Sequence, residues 1–364
     1  MLPTTMAAVL LTGHGGLDRL EYRTDVPVPH PGSGEVLVQV AAAGINNTDV
    51  NTRIGWYSKS ITTGTADGGA AGFDAVDHGD ATWSGTALEF PRIQGADVCG
   101  RIVDVGDGVP HERIGERVLV RNMLRTPVHY RPFECWTLGS ECDGGFAQFT
   151  VAPSRETYAI HSDLGDEELA AVPCAYSTAE NMMQRAAVTA ERVLVTGASG
   201  GVGLAAVQLA KRRGATVTAV CSAAKAADVR AQGADHTVDR GADLVGVLGS
   251  GSVDVVIDLV GGAQFSSLLD LVRTGGQYAI SGAIGGPVTE IDLRTLYLKD
   301  LSLLGCTFQE DEVFEAVVGY VERGEVRPVV ARTYRLDEIA RAQEDFLGKD
   351  HVGKLVLVPP AAGG

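Results

Sequence analysis

The chain has 364 residues, of which 45% are hydrophobic and 21% charged, and it carries a net charge of −16. Such a length accommodates two domains with separate cores. The acidic balance excludes a general binder of nucleic-acid backbones, which needs clustered Lys and Arg, and an anionic membrane surface as the main partner.

The first apolar run, Met6 to Leu11, is too short for a signal segment or a membrane span and reads as a strand. A Pro/Gly bend at 27–34 leads into Glu35–Ala43, a strand with period-two character. Gly44-Ile45-Asn46-Asn47-Thr48-Asp49 closes it, and a short helix from Thr48 leads to Gly55-Trp56-Tyr57. Residues 58–90 are rich in Gly, Ala, Thr and Asp and too long for a plain connection. Asp74, Asp77, His78 and Asp80 read as part of a solvated acidic loop. Strand signals return at 95–104, 117–120 and 146–151, separated by a second irregular stretch, 121–145. Many short strands with regular turns predict a compact β-rich domain.

The texture changes after Pro153. A helix spans Tyr176–Val188, and from Val193 strands and helices alternate up to 302–304, as in a parallel, doubly wound sheet. A helix at 307–324, a further helix at 337–347 and a strand at 354–358 close the chain. The sharpest motif is Val193-Leu-Val-Thr-Gly197-Ala198-Ser199-Gly200-Gly201-Val202-Gly203, a strand, a glycine turn and a helix start. Ala198-x-Gly200-x-x-Gly203 stands where G-x-G-x-x-G is usual, and this geometry sets a diphosphate on a helix N-terminus. Six cysteines without a C-x-x-C pair read as reduced thiols of a cytoplasmic protein.

The separated motifs Gly44–Asp49, Gly95-Ala96-Asp97-Val98-Cys99-Gly100, Gly115-Glu116-Arg117-Val118, Gly144–Phe149, the glycine turn and Gly353-Lys354 together resemble the medium-chain dehydrogenase/reductase superfamily. The resemblance implies an α/β chain with a GroES-like β-rich catalytic domain at 1–167 and 310–364. A doubly wound Rossmann dinucleotide-binding domain would occupy 168–309, with the cofactor in the cleft between the two. Zinc alcohol dehydrogenases of this superfamily carry a cysteine where this chain has Asn46 and a His-Glu pair where it has Ala96-Asp97. Of their three catalytic ligands only Cys174 remains, and Cys135 and Cys142 cannot make a four-cysteine structural lobe. No metal is expected, and the chain is similar to the zinc-free quinone oxidoreductase-like and enoyl reductase-like branch.

For that branch the chemistry asks for a hydrogen-bond donor and a proton source beside an acceptor carbonyl. Tyr57 is the candidate proton donor, with Asn46 and Asp49 as further catalytic candidates. The second strand of the dinucleotide fold ends in Cys221-Ser222-Ala223-Ala224-Lys225, without the acid that would hold a free ribose 2′-OH. A 2′-phosphate would meet Ser222 and Lys225 instead, the resemblance adds Arg240 at a place where relatives often carry a tyrosine that touches this phosphate, and the expected cofactor is NADPH. The resemblance adds Thr178, Val260, Ser281 and Gly282 on the nicotinamide side, and Lys354 among the cofactor residues. The expected activity is hydride transfer to a small-molecule carbonyl or quinone substrate. The rival readings are a zinc alcohol dehydrogenase and a crystallin-like NADPH-binding protein without turnover. Analogy with relatives predicts a homodimer through the edge strand near 302–306.

Overall fold

The structure is a computed structural model that describes residues 2–361. It divides into two compact units: Met1–Ile61, Asp67–Cys174 and Pro328–Gly364 form one, Thr62–Ala66 and Ala175–Arg327 the other.

The first unit is built around the strand Glu35–Gly44. This strand pairs antiparallel with Val98–Val105, Phe149–Pro153 and Lys354–Val358, so it is covered on both sides and buried along most of its length. Arg117–Val120, Thr157–Ala159 and Val330–Arg335 extend the sheet to seven strands. A smaller three-stranded sheet joins Thr5–Leu11 with Leu20–Pro27 and Arg92–Ile93. Val36, Val38, Ile102, Phe146, Phe149 and Leu355 form the centre of one apolar core. Burial of each phenyl ring contributes about 1.5–3 kcal/mol.

Residues 67–90 are more ordered than their composition suggests. Asp74, Asp77 and His78 are exposed, but Ala81, Thr82 and Leu88 are buried. Arg53 fastens this segment from below. Its fully buried guanidinium donates to the Gly69 carbonyl at 2.9 Å, the Gly15 carbonyl at 2.7 Å and Gln343 Oε1 at 2.8 Å. Burial depresses its pKa to about 10.

The second unit carries a six-stranded, all-parallel sheet. Its strands are Arg192–Val195, Thr216–Cys221, His236–Asp239, Val253–Asp258, Val272–Ile280 and Ser302–Gly305, arranged in the spatial order 3-2-1-4-5-6. This is the doubly wound dinucleotide order, whose ligand crevice opens at the carboxyl ends of the first and fourth strands. The helix Gly201–Arg212 buries Leu204, Ala205, Val207 and Leu209 at helical spacing.

The units divide at 174/175 and 327/328, not at the expected 167/168 and 309/310. The helix Asp311–Glu322 is the longest element that changes sides. Its Tyr320 lies under the Arg212 guanidinium, 3.6 Å from ring centroid to Cζ, and donates to Glu180 at 3.3 Å, so the helix packs with the parallel sheet's helices.

Candidate active site

In the first unit, Gly44-Ile45-Asn46 leaves the central strand and enters the helix Asn47–Ile54. Asn46 is the N-cap, and its backbone N–H donates to Asp49 Oδ2 at 2.7 Å, one arm of a capping box. Asp49 also receives the Gly95 N–H on Oδ1 at 3.2 Å, and Gln94 Nε2 donates to the Asp49 carbonyl. Burial raises the Asp49 carboxyl to about 7, against the opposing pull of the Asn46 N–H and the Lys354 charge. Asp49 is thus a buried organiser of the strand–helix junction.

The Asn46 side chain belongs to a second network. Its Nδ2 donates to Asp97 Oδ2 at 2.9 Å, and its Oδ1 accepts from Lys354 Nζ at 2.6 Å. The same ammonium reaches Asp97 Oδ2 at 2.7 Å and the Ile45 carbonyl at 2.8 Å. Asp97 Oδ1 accepts the Cys174 backbone N–H at 2.6 Å. All three Lys354 protons therefore have acceptors in the first unit, and Lys354 works as half of a buried ion pair rather than as the expected cofactor ligand. Gly44 makes room for it: a Cβ there would lie 2.5 Å from Asp97 Oδ2 and 3.0 Å from Lys354 Cε.

The residues do not fit a catalytic zinc. Ala96 offers no donor atom, Asn46 is engaged with Lys354 and Asp97, and the Lys354 ammonium supplies positive charge within this cluster. Among the described residues, no group of three His, Cys, Asp or Glu could hold a metal.

Tyr57 follows the helix after Gly55, whose φ of 72° turns the chain. Its hydroxyl donates to Thr48 Oγ1 at 3.0 Å, and burial pushes its pKa well above the ordinary phenol value. Its ring meets Trp56 at 5.7 Å and Trp83 at 4.9 Å, both edge-on. Thr48 and Trp83 were not singled out from the sequence. Thr48 looked like helix-start chemistry, and Trp83 lies in the segment with least pattern.

In the second unit the glycine turn needs positive φ at only one of its four glycines. Gly197 takes φ of 58°, Ala198 is buried with negative φ, and Gly200 is the N-cap of the helix Gly201–Arg212. A Cβ on Gly203 would lie 2.3 Å from the Gly197 carbonyl oxygen, so this glycine serves close helix–strand packing. A Cβ on Gly200 would meet only that oxygen, at 3.6 Å. Gly200, Ser199, Gly201 and Val202 are partly exposed, so the chain itself leaves room over the helix N-terminus, where amide N–H groups and the dipole favour an anion. These residues fit a dinucleotide diphosphate.

Asp258, at the end of the fourth strand, pins this crevice. It accepts from Thr196 Oγ1 at 2.6 Å, from the Val260 N–H at 2.9 Å, from the Gly261 N–H at 3.1 Å and from the Tyr278 hydroxyl. Thr196 Oγ1 in turn accepts the Leu259 N–H. Val260 is half-buried in the turn so held. The Ser281 hydroxyl donates to the Cys306 carbonyl at 2.7 Å, and a Cβ on Gly282 would lie 2.7 Å from the Leu259 carbonyl oxygen. Thr178 is half-buried on the helix Pro173–Arg185.

Beyond the second strand, Ser222 and Lys225 are half-buried and Arg240 is exposed. The strand end is not free of acid. Asp239, from the neighbouring strand, accepts the Ala223 N–H at 2.8 Å and the Gly241 N–H at 2.8 Å. Both oxygens are thereby used to cap the turn, and these N–H bonds lower its pKa.

The two folds and their sites define a medium-chain dehydrogenase/reductase, and the chain belongs to that superfamily of oxidoreductases. Residues 32–162 match the alcohol dehydrogenase GroES-like domain family, and residues 201–323 match the zinc-binding dehydrogenase family. The chain is 29% identical to the quinone oxidoreductase of Rattus norvegicus over 97% of this chain and 98% of the relative. It is 30% identical to the acryloyl-coenzyme A reductase of Metallosphaera sedula, over 97% and 99% respectively. A crystal structure from Sinorhizobium meliloti, provisionally described as an alcohol dehydrogenase, is 44% identical with a TM-score of 0.87, over 99% of this chain and 98% of that one.

Proposed function

We propose that the protein is an NADPH-dependent, zinc-independent reductase that delivers hydride to a quinone or an α,β-unsaturated carbonyl compound. The observation that carries this reading is the Lys354 ammonium bonded to Asn46 Oδ1 and Asp97 Oδ2, at the two motifs where zinc members of the superfamily supply ligands. The likeness to a quinone oxidoreductase and an acryloyl-coenzyme A reductase supports it.

The nicotinamide cofactor supplies the hydride. Gly197, Ala198, Ser199, Gly200, Gly201, Val202 and Gly203 would hold its diphosphate, and Thr178, Val260, Ser281 and Gly282 its nicotinamide end. Ser222, Lys225 and Arg240 would hold the 2′-phosphate, while Asp239 caps the neighbouring turn through the Ala223 and Gly241 N–H groups. Tyr57 keeps a proton on Oη across the working pH range, because its phenol is raised, and the Thr48 hydroxyl stands ready to orient it. Asn46 and Asp49 shape the junction that carries Tyr57.

A cytoplasmic setting agrees with six free cysteines, and no helix among the described residues is long and apolar enough to cross a membrane. A homodimer through the strand Ser302–Gly305 is supported by its open edge and by the exposed Leu293, Tyr297 and Leu298 nearby in the chain.

The test is NADPH oxidation against matched quinones, enones, enoyl thioesters and aldehydes, with metal analysis of the same sample. Quinone or enone turnover without stoichiometric zinc is expected, with NADPH bound more tightly than NADH. Zinc at one equivalent, or tighter NADH binding, overturns the corresponding part. Tyr57→Phe should lower the enone rate at least tenfold, and an unchanged rate removes Tyr57 as proton donor.

A further inference from the structure

The segment that holds Trp83 has the composition of a solvated loop, yet its end is rigidly built. Thr82 N–H and Thr82 Oγ1 both donate to the Thr86 carbonyl, at 3.0 and 2.9 Å, and the Gly85 N–H donates to the Thr82 carbonyl. Thr82 is buried. The Ser84 N–H, inside the turn, donates to Glu141 Oε1 at 2.8 Å, while Glu141 Oε2 accepts the Thr137 N–H at 2.8 Å. One carboxylate from the second irregular stretch therefore clamps the turn of the first. What this clamp presents is a half-buried indole, 4.9 Å from the Tyr57 ring at an interplanar angle of 65°. Trp56 packs on the apolar core of the first unit, whereas Trp83 reaches Tyr57 from the clamped turn.

We propose that Trp83 is a specificity-determining residue of the acceptor site, and that it selects planar, ring-conjugated acceptors of the p-quinone type over short linear enones. This rests on the reading that Tyr57 adjoins the acceptor. Tyr57 is held by its hydroxyl to Thr48, so its ring is fixed, and Trp83 fixes a second π surface beside it. A flat conjugated ring gains offset stacking on such a surface, and a linear enone presents too little π area to do so. Stacking of this kind is worth roughly two- to tenfold in affinity. A side chain that only filled space at the turn would serve equally well as leucine.

The experiment compares the full chain with Trp83→Leu, Trp83→Phe and Glu141→Gln. The acceptors are 2,3-dimethyl-1,4-naphthoquinone, whose substituted ring does not alkylate thiols, and pent-3-en-2-one. The quantity read is the ratio of the two kcat/KM values with NADPH, alongside equilibrium binding of the naphthoquinone by calorimetry. Trp83→Leu should lower the ratio about five- to tenfold, chiefly through the naphthoquinone KM, and weaken its binding by a similar factor. Trp83→Phe should restore most of the ratio, and Glu141→Gln should shift it in the same direction as Leu by a smaller factor. A ratio unchanged within twofold in Trp83→Leu, or leucine and phenylalanine behaving alike, overturns the proposal. If the parent enzyme reduces neither acceptor, the reductase reading fails by itself. Naphthoquinone binding that does not depend on Trp83 then overturns this proposal separately.

Discussion

Lys354 and Asp97 form an ion pair at 2.7 Å in which the aspartate is fully buried and the lysine nearly so. The partners are 257 positions apart, and the pair joins the last strand of the chain to the Gly95–Asp97 motif. Removing one partner of such a pair leaves an uncompensated buried charge.

Lys354→Met should therefore lower stability by about 3–5 kcal/mol, measured by urea denaturation. The exposed Arg335–Asp337 pair provides the control, and its loss should cost at most about 1 kcal/mol. Variant protein that remains folded should bind NADPH with parental affinity, because the ammonium has no donor left for it. A selective loss of NADPH affinity at parental stability would return Lys354 to the cofactor site.

Two glycines of one turn should behave oppositely. Alanine at Gly203 pushes a Cβ to 2.3 Å from the Gly197 oxygen and 2.6 Å from Ala198 Cα, and should destabilise by about 1–3 kcal/mol. Gly200 has φ of −82° and its nearest neighbour at 3.6 Å, so alanine there should shift stability by no more than about 0.5 kcal/mol. The same Gly200→Ala should weaken NADPH at least tenfold if the space belongs to the diphosphate. Thermal midpoints with and without NADPH separate the two cases.

His14 predicts a pH dependence of stability. Its Nδ1 lies 2.9 Å from the Thr52 carbonyl, and its ring stacks on His78 at 5.3 Å and meets Phe90 edge-on. Burial lowers its pKa below 6.5, helped by His78 and opposed by the Thr52 carbonyl. The folded state then binds fewer protons than the unfolded chain, so this contribution is present above pH 6.5 and is lost as the pH falls through that value. Thermal midpoints at pH 7.5, 6.5 and 5.5 should fall less steeply in His14→Gln than in the parent. Parallel slopes would assign the loss to other groups.

The open edge of the parallel sheet predicts the oligomeric state. Leu303 is 39% exposed on the strand Ser302–Gly305, which among the described residues has a partner strand on one side only. Leu303→Lys should convert a dimer to a monomer in light scattering while leaving the fold intact by circular dichroism. A dimer unaffected by this change uses another surface.

The glycine turn and the alternation of strands and helices were legible because both are local patterns with a fixed period or a fixed backbone demand. The strand Leu20–Pro27 was legible too, since Leu20, Tyr22, Thr24 and Val26 alternate with Glu21, Arg23 and Asp25, but it was not singled out; that it is nearly all exposed is visible only in the structure. The helix at 311–322 was visible as a helix, but periodicity shows a buried face and not which core receives it. Asn46, Asp49 and Tyr57 were legible as a group through the resemblance of their motif. The partner that binds Asn46 was not, because a lysine next to a late strand gives no sign of which carboxylate it will meet. Asp258 and Trp83 were missed for the same reason, since their roles exist only when distant segments converge.

The Glu141 clamp has a consequence for recombining this chain with its relatives. One carboxylate closes two backbone N–H groups from stretches that look like independent additions to the scaffold. Exchanging 121–145 alone takes the acceptor away from the Ser84 N–H, and exchanging 58–90 alone takes the donor away from Glu141 Oε1. The two are in effect a single cassette, and acceptor preference should transfer only when both travel together.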